Sequence, residues 1–219
     1  MPRQPCVVFD LDDTLLATDS FARFLSHLLR RSPARLALVV LSAPAWLALG
    51  ARRTGRIHAE RLVVWAATVG LHPERLQELV RAFAAEHAGV AGGRRIDLAL
   101  ARLHEHRAAG NRVVVATGCA QPLARALCDA LGLQDLQVVA STFTAHRWRL
   151  PHAVPARGQA KVRALLAAGL ELPVEHAYSD SLADLPLLRA ARTAHLVRPR
   201  ARELPALLQV LGEDVEVLR

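Results

Sequence analysis

Short apolar runs rich in Val, Leu and Ala recur along the second half of the chain, separated by longer stretches with apolar residues at helical spacing. An isolated run of the first kind opens the sequence. Residues 7–11, VVFDL, are short, apolar and β-branched, and predict a buried strand. Further strands are predicted over 113–116, 136–140, 174–178 and 194–197. Helices are predicted over 95–109, ending near Gly110-Asn111, and over 121–131, stopped at Gly132. Two more are predicted over 161–168 and over 182–191, the latter containing Pro186. Residues 142–150 predict a short hairpin, and the carboxyl-terminal RELPALLQVLGEDVEVLR a closing helix without chemistry. Strands alternating with helices imply a parallel sheet covered on both faces, an α/β, Rossmann-like three-layer core.

Between the first strand and the rest the pattern is purely helical. Asp19 and Ser20 precede an amphipathic stretch, 21–29, and are the capping residues such a helix needs. Residues 62–69 and 73–88 predict helices, the second with Pro73 in its first turn and apolar residues at Leu76, Leu79, Val80 and Phe83. The Gly-rich stretch 89–93 marks a boundary. The implied organisation is a core of residues 1–17 and 92–219, with a helical cap, 18–91, inserted after the first strand. Within the cap, residues 36–51, LALVVLSAPAWLALGA, carry no charge. At ~1.5 Å per residue this run is about 24 Å long as a helix, short of the ~20 apolar residues that a bilayer requires. Pro44 also interrupts it. A kinked or hairpin-like element lying in a membrane interface, with Trp46 and Trp65 nearby, fits better than a simple span. The other reading is the packed core of the cap.

Charge sharpens this picture. The net charge is +8 and the mean hydropathy +0.19. Between Ser20 and Pro73 stand eight arginines and one acid, Glu60, so the excess is local and brackets the oily run. That placement argues for an anionic membrane surface and against nucleic acid as the partner. No signal-peptide pattern precedes the first strand. The three cysteines, Cys6, Cys119 and Cys128, lack metal-ligand spacing and suit a reduced cytosolic compartment. Cys119 reads as a packed thiol. No feature specifies an oligomeric state.

Candidate chemistry gathers at the carboxyl ends of the predicted strands, where ligands bind in such sheets. The first end carries Asp10, Asp12 and Thr14; the second, VVVATG, carries Thr117 and Gly118. Lys161 opens a later helix and is the sole lysine among 28 basic side chains. YSDSLAD supplies Asp180 and Asp184. Each residue alone has a bland alternative as a helix cap, a first-turn acid or a solvated charge. Their order and strand-end placement together point to one site.

These motifs, DxDxT, hhhT, a lone lysine and DxxxD, resemble those of the haloacid dehalogenase superfamily of phosphohydrolases. Within its IB subfamily, the likeness is to the phosphatidylglycerophosphatase C branch, carried by FLSHLLRR, WAATVGLHPERLQEL, ATGCAQPL and YSDSLADLPLL. The resemblance implies a Mg2+ ion held by Asp10, the Asp12 main-chain carbonyl and Asp180. It implies Asp10 as nucleophile forming an aspartyl-phosphate, and Asp12 as general acid and base with a pKa raised by its acidic neighbours. Thr117 and Gly118, at a helix amino terminus, would hold phosphoryl oxygens with Lys161, and Asp184 would orient Lys161 or a metal-bound water. Asp13 reads as solvated or capping. Asp19 and Arg23 are the cap residues placed to meet a head group. The implied reaction is hydrolysis of phosphatidylglycerol phosphate to phosphatidylglycerol at the cytoplasmic face of a bacterial membrane. The same chemistry on a small phosphomonoester such as phosphoserine is the alternative. A non-catalytic protein that binds anionic lipid is a third reading, disfavoured by the complete set of site residues.

Overall fold

Val7 and Phe9 face one side of the first strand and Val8 the other, and this two-residue alternation sorts the whole core into two apolar layers. The computed structural model describes residues 4–51, 55–144, 152–154, 156–212 and 215–219; for residues 56, 57, 143, 144, 152 and 153 only the backbone is described. Strand β1, Cys6–Phe9, is followed by five helices: α1 (Ser20–Arg30), α2 (Pro33–Leu41), α3 (Ala43–Gly50), α4 (Arg56–Thr68) and α5 (Pro73–Ala88). The chain then alternates through α6 (Asp97–Ala108), β2 (Arg112–Ala120), α7 (Gln121–Ala130), β3 (Gln137–Thr144) and β4 (His152–Val154). It ends with α8 (Gln159–Ala167), β5 (Val174–Ser179), α9 (Leu185–Arg189), β6 (Ala191–Val197), α10 (Leu204–Leu211) and β7 (Glu216–Leu218).

The sheet order is β4-β3-β2-β1-β5-β6-β7, parallel throughout except for β4. This is the predicted α/β, Rossmann-like sheet with helices on both faces. Leu103 of α6 and Leu123 and Leu127 of α7 cover the face bearing Val7, Phe9, Val113 and Val115. Leu165 of α8, Leu187 of α9 and Leu207 of α10 cover the face bearing Val8, Val114 and Ala116. Phe24 and Leu28 of α1, and Leu79, Val80 and Phe83 of α5, join the first of these layers, so the helical insertion shares its apolar cluster with the sheet.

Three expectations need correction. The terminal segment is not a single closing helix, because after α10 it forms an edge strand, β7. The helix expected over 182–191 is a 3-10 turn, Leu182–Asp184, followed by the short α9, with Pro186 in the first turn where its missing N–H costs nothing. The uncharged run does break, but at Ser42; Pro44 begins α3 rather than kinking a helix. The hairpin expected over 142–150 lies largely outside the described residues, although β3 pairs antiparallel with β4, Thr142 opposite Val154. Helices α2 and α3 meet at 53° and no residue of either is buried, so they are not the packed core of the insertion. Among the described residues no single helix is long and apolar enough to cross a membrane; only this bent pair meets the length and composition it needs.

A stack of rings ties the sheet together beneath the site. Tyr178 lies 4.2 Å from Phe9 at 3° on one side and 4.2 Å from His195 at 5° on the other. Its hydroxyl is 2.9 Å from His106 Nε2. Truncating Phe9→Ala is expected to lower the unfolding free energy by about 3–5 kcal/mol, as aromatic deletions in packed cores do. Tyr178→Phe keeps the stack and loses one hydrogen bond, with an expected cost of about 1 kcal/mol. Urea unfolding of the two variants measures both.

Candidate active site

The strand register assembles the site. Phe9 is level with Val115 on one side and Tyr178 on the other, and Asp10 N–H donates to the Tyr178 carbonyl at 2.9 Å. The residues just beyond, Asp10, Thr117 and Asp180, therefore leave the sheet at the same edge. Together with Asp12, Gly118, Lys161 and Asp184 they line one cavity of about 210 Å³. Thr14 lies behind it, fully buried, its hydroxyl 3.5 Å from Asp10 Oδ2. Arg23 is not part of this cavity; it lines a neighbouring one.

Lys161 is 2% exposed and bridges two carboxylates, Asp10 Oδ1 at 2.7 Å and Asp184 Oδ2 at 2.6 Å. Ser179 Oγ donates to the same Asp184 oxygen at 2.9 Å. Asp184 thus holds Lys161, and Lys161 in addition contacts Asp10 directly. Burial pushes the Lys161 ammonium down, but Asp10 and Asp184 more than offset this and its pKa ends above the ordinary value. Burial pushes the Asp10 carboxyl well above the usual range against the pull of Lys161. Asp180 is raised to about 7, again chiefly by burial, then by the charge of Asp13.

Asp12 is raised to about 6, in the expected direction but for a different main reason. Burial dominates, and the neighbouring acids Asp19 and Asp13 contribute less. The Ser20 N–H, at the start of α1, donates to Asp12 Oδ1 at 2.9 Å and partly counters the rise. Asp19, not Ser20, is the N-cap of α1, accepting from Ala22 N–H at 2.9 Å. Asp13, its side chain 36% exposed, is partly solvated as expected; it sits in the left-handed region (φ 57°) and pairs with Arg200 at 3.1 Å.

Thr117 and Gly118 are not at a helix amino terminus. Strand β2 continues through them to Ala120 before α7 begins, with an irregular register between Thr117 and Ala120. Thr117 Oγ1 accepts from Cys119 N–H at 3.0 Å, and the Gly118 carbonyl accepts from Ser141 Oγ at 2.8 Å. Gly118 thus lies on the strand, two residues before Ala120, the N-cap of α7. Cys119 is 1% exposed with a strongly raised pKa, a packed thiol as expected.

Two arginines went unrecognised in the sequence. Arg157 lines the cavity, packs so closely over Gly118 that an added Cβ there would fall 2.6 Å from its Nε, and pairs with Glu60 of α4 at 3.1 Å. Arg200 is the other, through Asp13. No local sequence pattern pointed to either arginine. The hollow carries the hard oxygen donors that a Mg2+ ion takes, although among the described residues no three carboxylates or imidazoles converge on a single point. Asp10 and Asp180 are the carboxylates, and Asp12 the further residue, that would hold such an ion.

Removing the ammonium alone would strand two buried carboxylates. Lys161→Ala is therefore expected to destabilise the fold by about 3–5 kcal/mol, by denaturant titration without added metal. The exposed Arg157–Glu60 pair carries little stability, and Glu60→Gln is expected to cost less than about 1 kcal/mol by the same measurement.

A chain from Bordetella pertussis Tohama I, described as of unknown function, matches over 99% of each chain at TM-score 0.76 and 21% identity. A phosphoserine phosphohydrolase-like protein from Francisella tularensis matches at TM-score 0.60 and 16% identity, over 99% of this chain and 95% of that one. A phosphoserine phosphatase solved as a phospho-aspartyl intermediate analogue matches at TM-score 0.57 and 13% identity, over 99% and 94%. At these identities the likeness is one of fold. The sequence model described as haloacid dehalogenase-like hydrolase matches residues 7–189, from the first strand through the last candidate site residue. The chain belongs to the haloacid dehalogenase-like hydrolase family.

Proposed function

We propose that the protein is a Mg2+-dependent phosphomonoesterase whose substrate is a phosphorylated lipid, best matched by phosphatidylglycerol phosphate and yielding phosphatidylglycerol. Bound at Asp10, Asp180 and the Asp12 carbonyl, Mg2+ would screen the repulsion between carboxylate and phosphate. An Asp10 oxygen attacks phosphorus, the ester P–O bond breaks, and an aspartyl-phosphate forms. Asp12, with a pKa of about 6, carries the proton that the leaving alkoxide takes. It recovers one from the water that then releases inorganic phosphate and restores Asp10. Lys161 balances charge on the phosphoryl oxygens while Asp184 holds it. The Thr117 hydroxyl and Gly118 N–H are the nearby neutral donors.

One observation carries the lipid reading: a second, largely apolar cavity of about 640 Å³ adjoins the catalytic one and shares Asp19 and Arg157 with it. Phe21 and Leu25 of α1, Trp46 and Leu47 of α3, and Val63 and Val64 of α4 line it. Acyl chains suit such walls, and a serine head group does not. On the adjoining helix α2, Leu36, Val40 and Leu41 are 46–80% exposed. Arg30, Arg31 and Arg35 stand just before them in the chain. An apolar ridge beside basic residues favours attachment to an anionic membrane surface, on its cytoplasmic side.

Phosphate release from lipid and soluble monoesters, with and without Mg2+, tests the reading. Asp10→Asn is expected to abolish turnover with an unchanged thermal unfolding midpoint. Leu47→Glu is expected to lower turnover of vesicle-borne phosphatidylglycerol phosphate at least tenfold while glycerol phosphate hydrolysis stays within twofold. Phosphoserine turned over faster than any lipid would instead establish the soluble-substrate reading.

A further inference from the structure

A third cavity, of about 420 Å³ between α1 and α5, plays no part in the chemistry above. Arg23 and Arg30 of α1 and Arg94, just beyond α5, line it. Its two carboxylates are Asp19, already engaged in capping α1, and Glu86. Arg23 is aimed by donating its Nε–H to Thr18 Oγ1 at 3.0 Å. His87, only 3% exposed, also lines the cavity, and its Nε2 has no hydrogen-bond partner among the described residues. A buried ring nitrogen in that state destabilises the protein until a partner arrives.

The chemistry selects the partner. Guanidinium groups match the oxygen spacing of phosphate-type anions and repel cations. An oxyanion would also accept a hydrogen bond donated by His87 Nε2–H. Burial and the charges of Arg94 and Arg23 hold the His87 pKa near 4, against the weaker opposing effect of Glu86, so the ring is neutral before any anion enters. Position selects the source. Asp19 lines this cavity, the catalytic cavity and the apolar cavity, so all three meet at one side chain.

We propose that the cavity between α1 and α5 is a second anion subsite, holding a non-reacting phosphodiester carried on the same substrate as the phosphate that is hydrolysed. The proposal rests on the phosphomonoesterase reading for the reaction but not on the acyl chains. A substrate would then be read by three parts: a terminal monoester, an internal diester and an apolar tail.

The test uses two water-soluble esters without acyl chains, glycerol phosphate and glycerophosphoglycerol phosphate, which differ in the diester. The wild-type enzyme is expected to favour the second at least tenfold in kcat/KM. Arg30→Gln and Arg94→Gln are each expected to reduce that ratio severalfold, mainly through KM. Equal use of both esters by the wild type, or variants that leave the ratio intact, would overturn the subsite. Binding is followed separately by NMR of histidine-labelled protein. Glycerophosphoglycerol, which cannot be hydrolysed as a monoester, is expected to raise the His87 pKa, and Arg94→Gln to remove that effect. No shift of His87, whether or not either ester is turned over, overturns the proposal. If inorganic phosphate shifts His87 at equal or lower concentration, the cavity takes free phosphate and the same-substrate assignment is wrong. If acyl chains add nothing while the diester preference holds, the lipid reading falls and the subsite stands. If the lipid is hydrolysed but the two soluble esters are used alike, the subsite falls alone.

Discussion

A buried ammonium set between two carboxylates, Lys161 against Asp10 and Asp184, is the constraint around which the rest of the site is arranged. Three charges so deeply withdrawn from water are tolerable only when held at hydrogen-bond distance. Holding them so requires that β1, the start of α8 and the turn after β5 end at one edge of the sheet, which the parallel register of β2, β1 and β5 provides. Asp12 and Asp180 add further negative charge to the same hollow. Carboxylates therefore outnumber the ammonium and the two guanidinium groups, Arg157 and Arg200, that line the hollow. The carboxyls of Asp10, Asp12 and Asp180 are raised chiefly by burial, with neighbouring acids adding a smaller part.

The surroundings divide by polarity. The floor is sheet, polar and preorganised; the roof is helix, with an apolar cavity on one side of Asp19 and an arginine-lined one on the other. Arg157 joins them, lying over Gly118 of the sheet while pairing with Glu60 of the roof. Such an exposed pair contributes little to stability. Its location, where two cavities adjoin, makes it a contact that a substrate can rearrange at small cost.

What was legible in the sequence followed from local pattern. The apolar runs gave the strands, and their polar ends gave Asp10, Thr117, Asp180 and Asp184, because a parallel sheet aligns its carboxyl ends whatever the intervening chain does. Lys161 stood out by its rarity. Arg157 and Arg200 were not legible, since each acts through a partner far away in the chain, 97 positions for Glu60 and 187 for Asp13. Strand β7 was missed because its charged flanks suit an exposed edge and carry no apolar run. Thr117 and Gly118 were placed at a helix amino terminus because Gln121 begins a helix; that β2 continues to Ala120 is settled by pairing with β3, a tertiary effect. The rise of the Asp12 pKa was foreseen from its acidic neighbours, yet burial, which only the packed structure reveals, outweighs them.

The rarity of lysine has a practical corollary. Apart from the α-amino group, the chain offers amine-directed reagents a single target, and folding leaves it 2% exposed. Acylation of that nitrogen would therefore mark molecules whose interior has opened, turning the side chain that organises the pocket into a built-in reporter of its breathing.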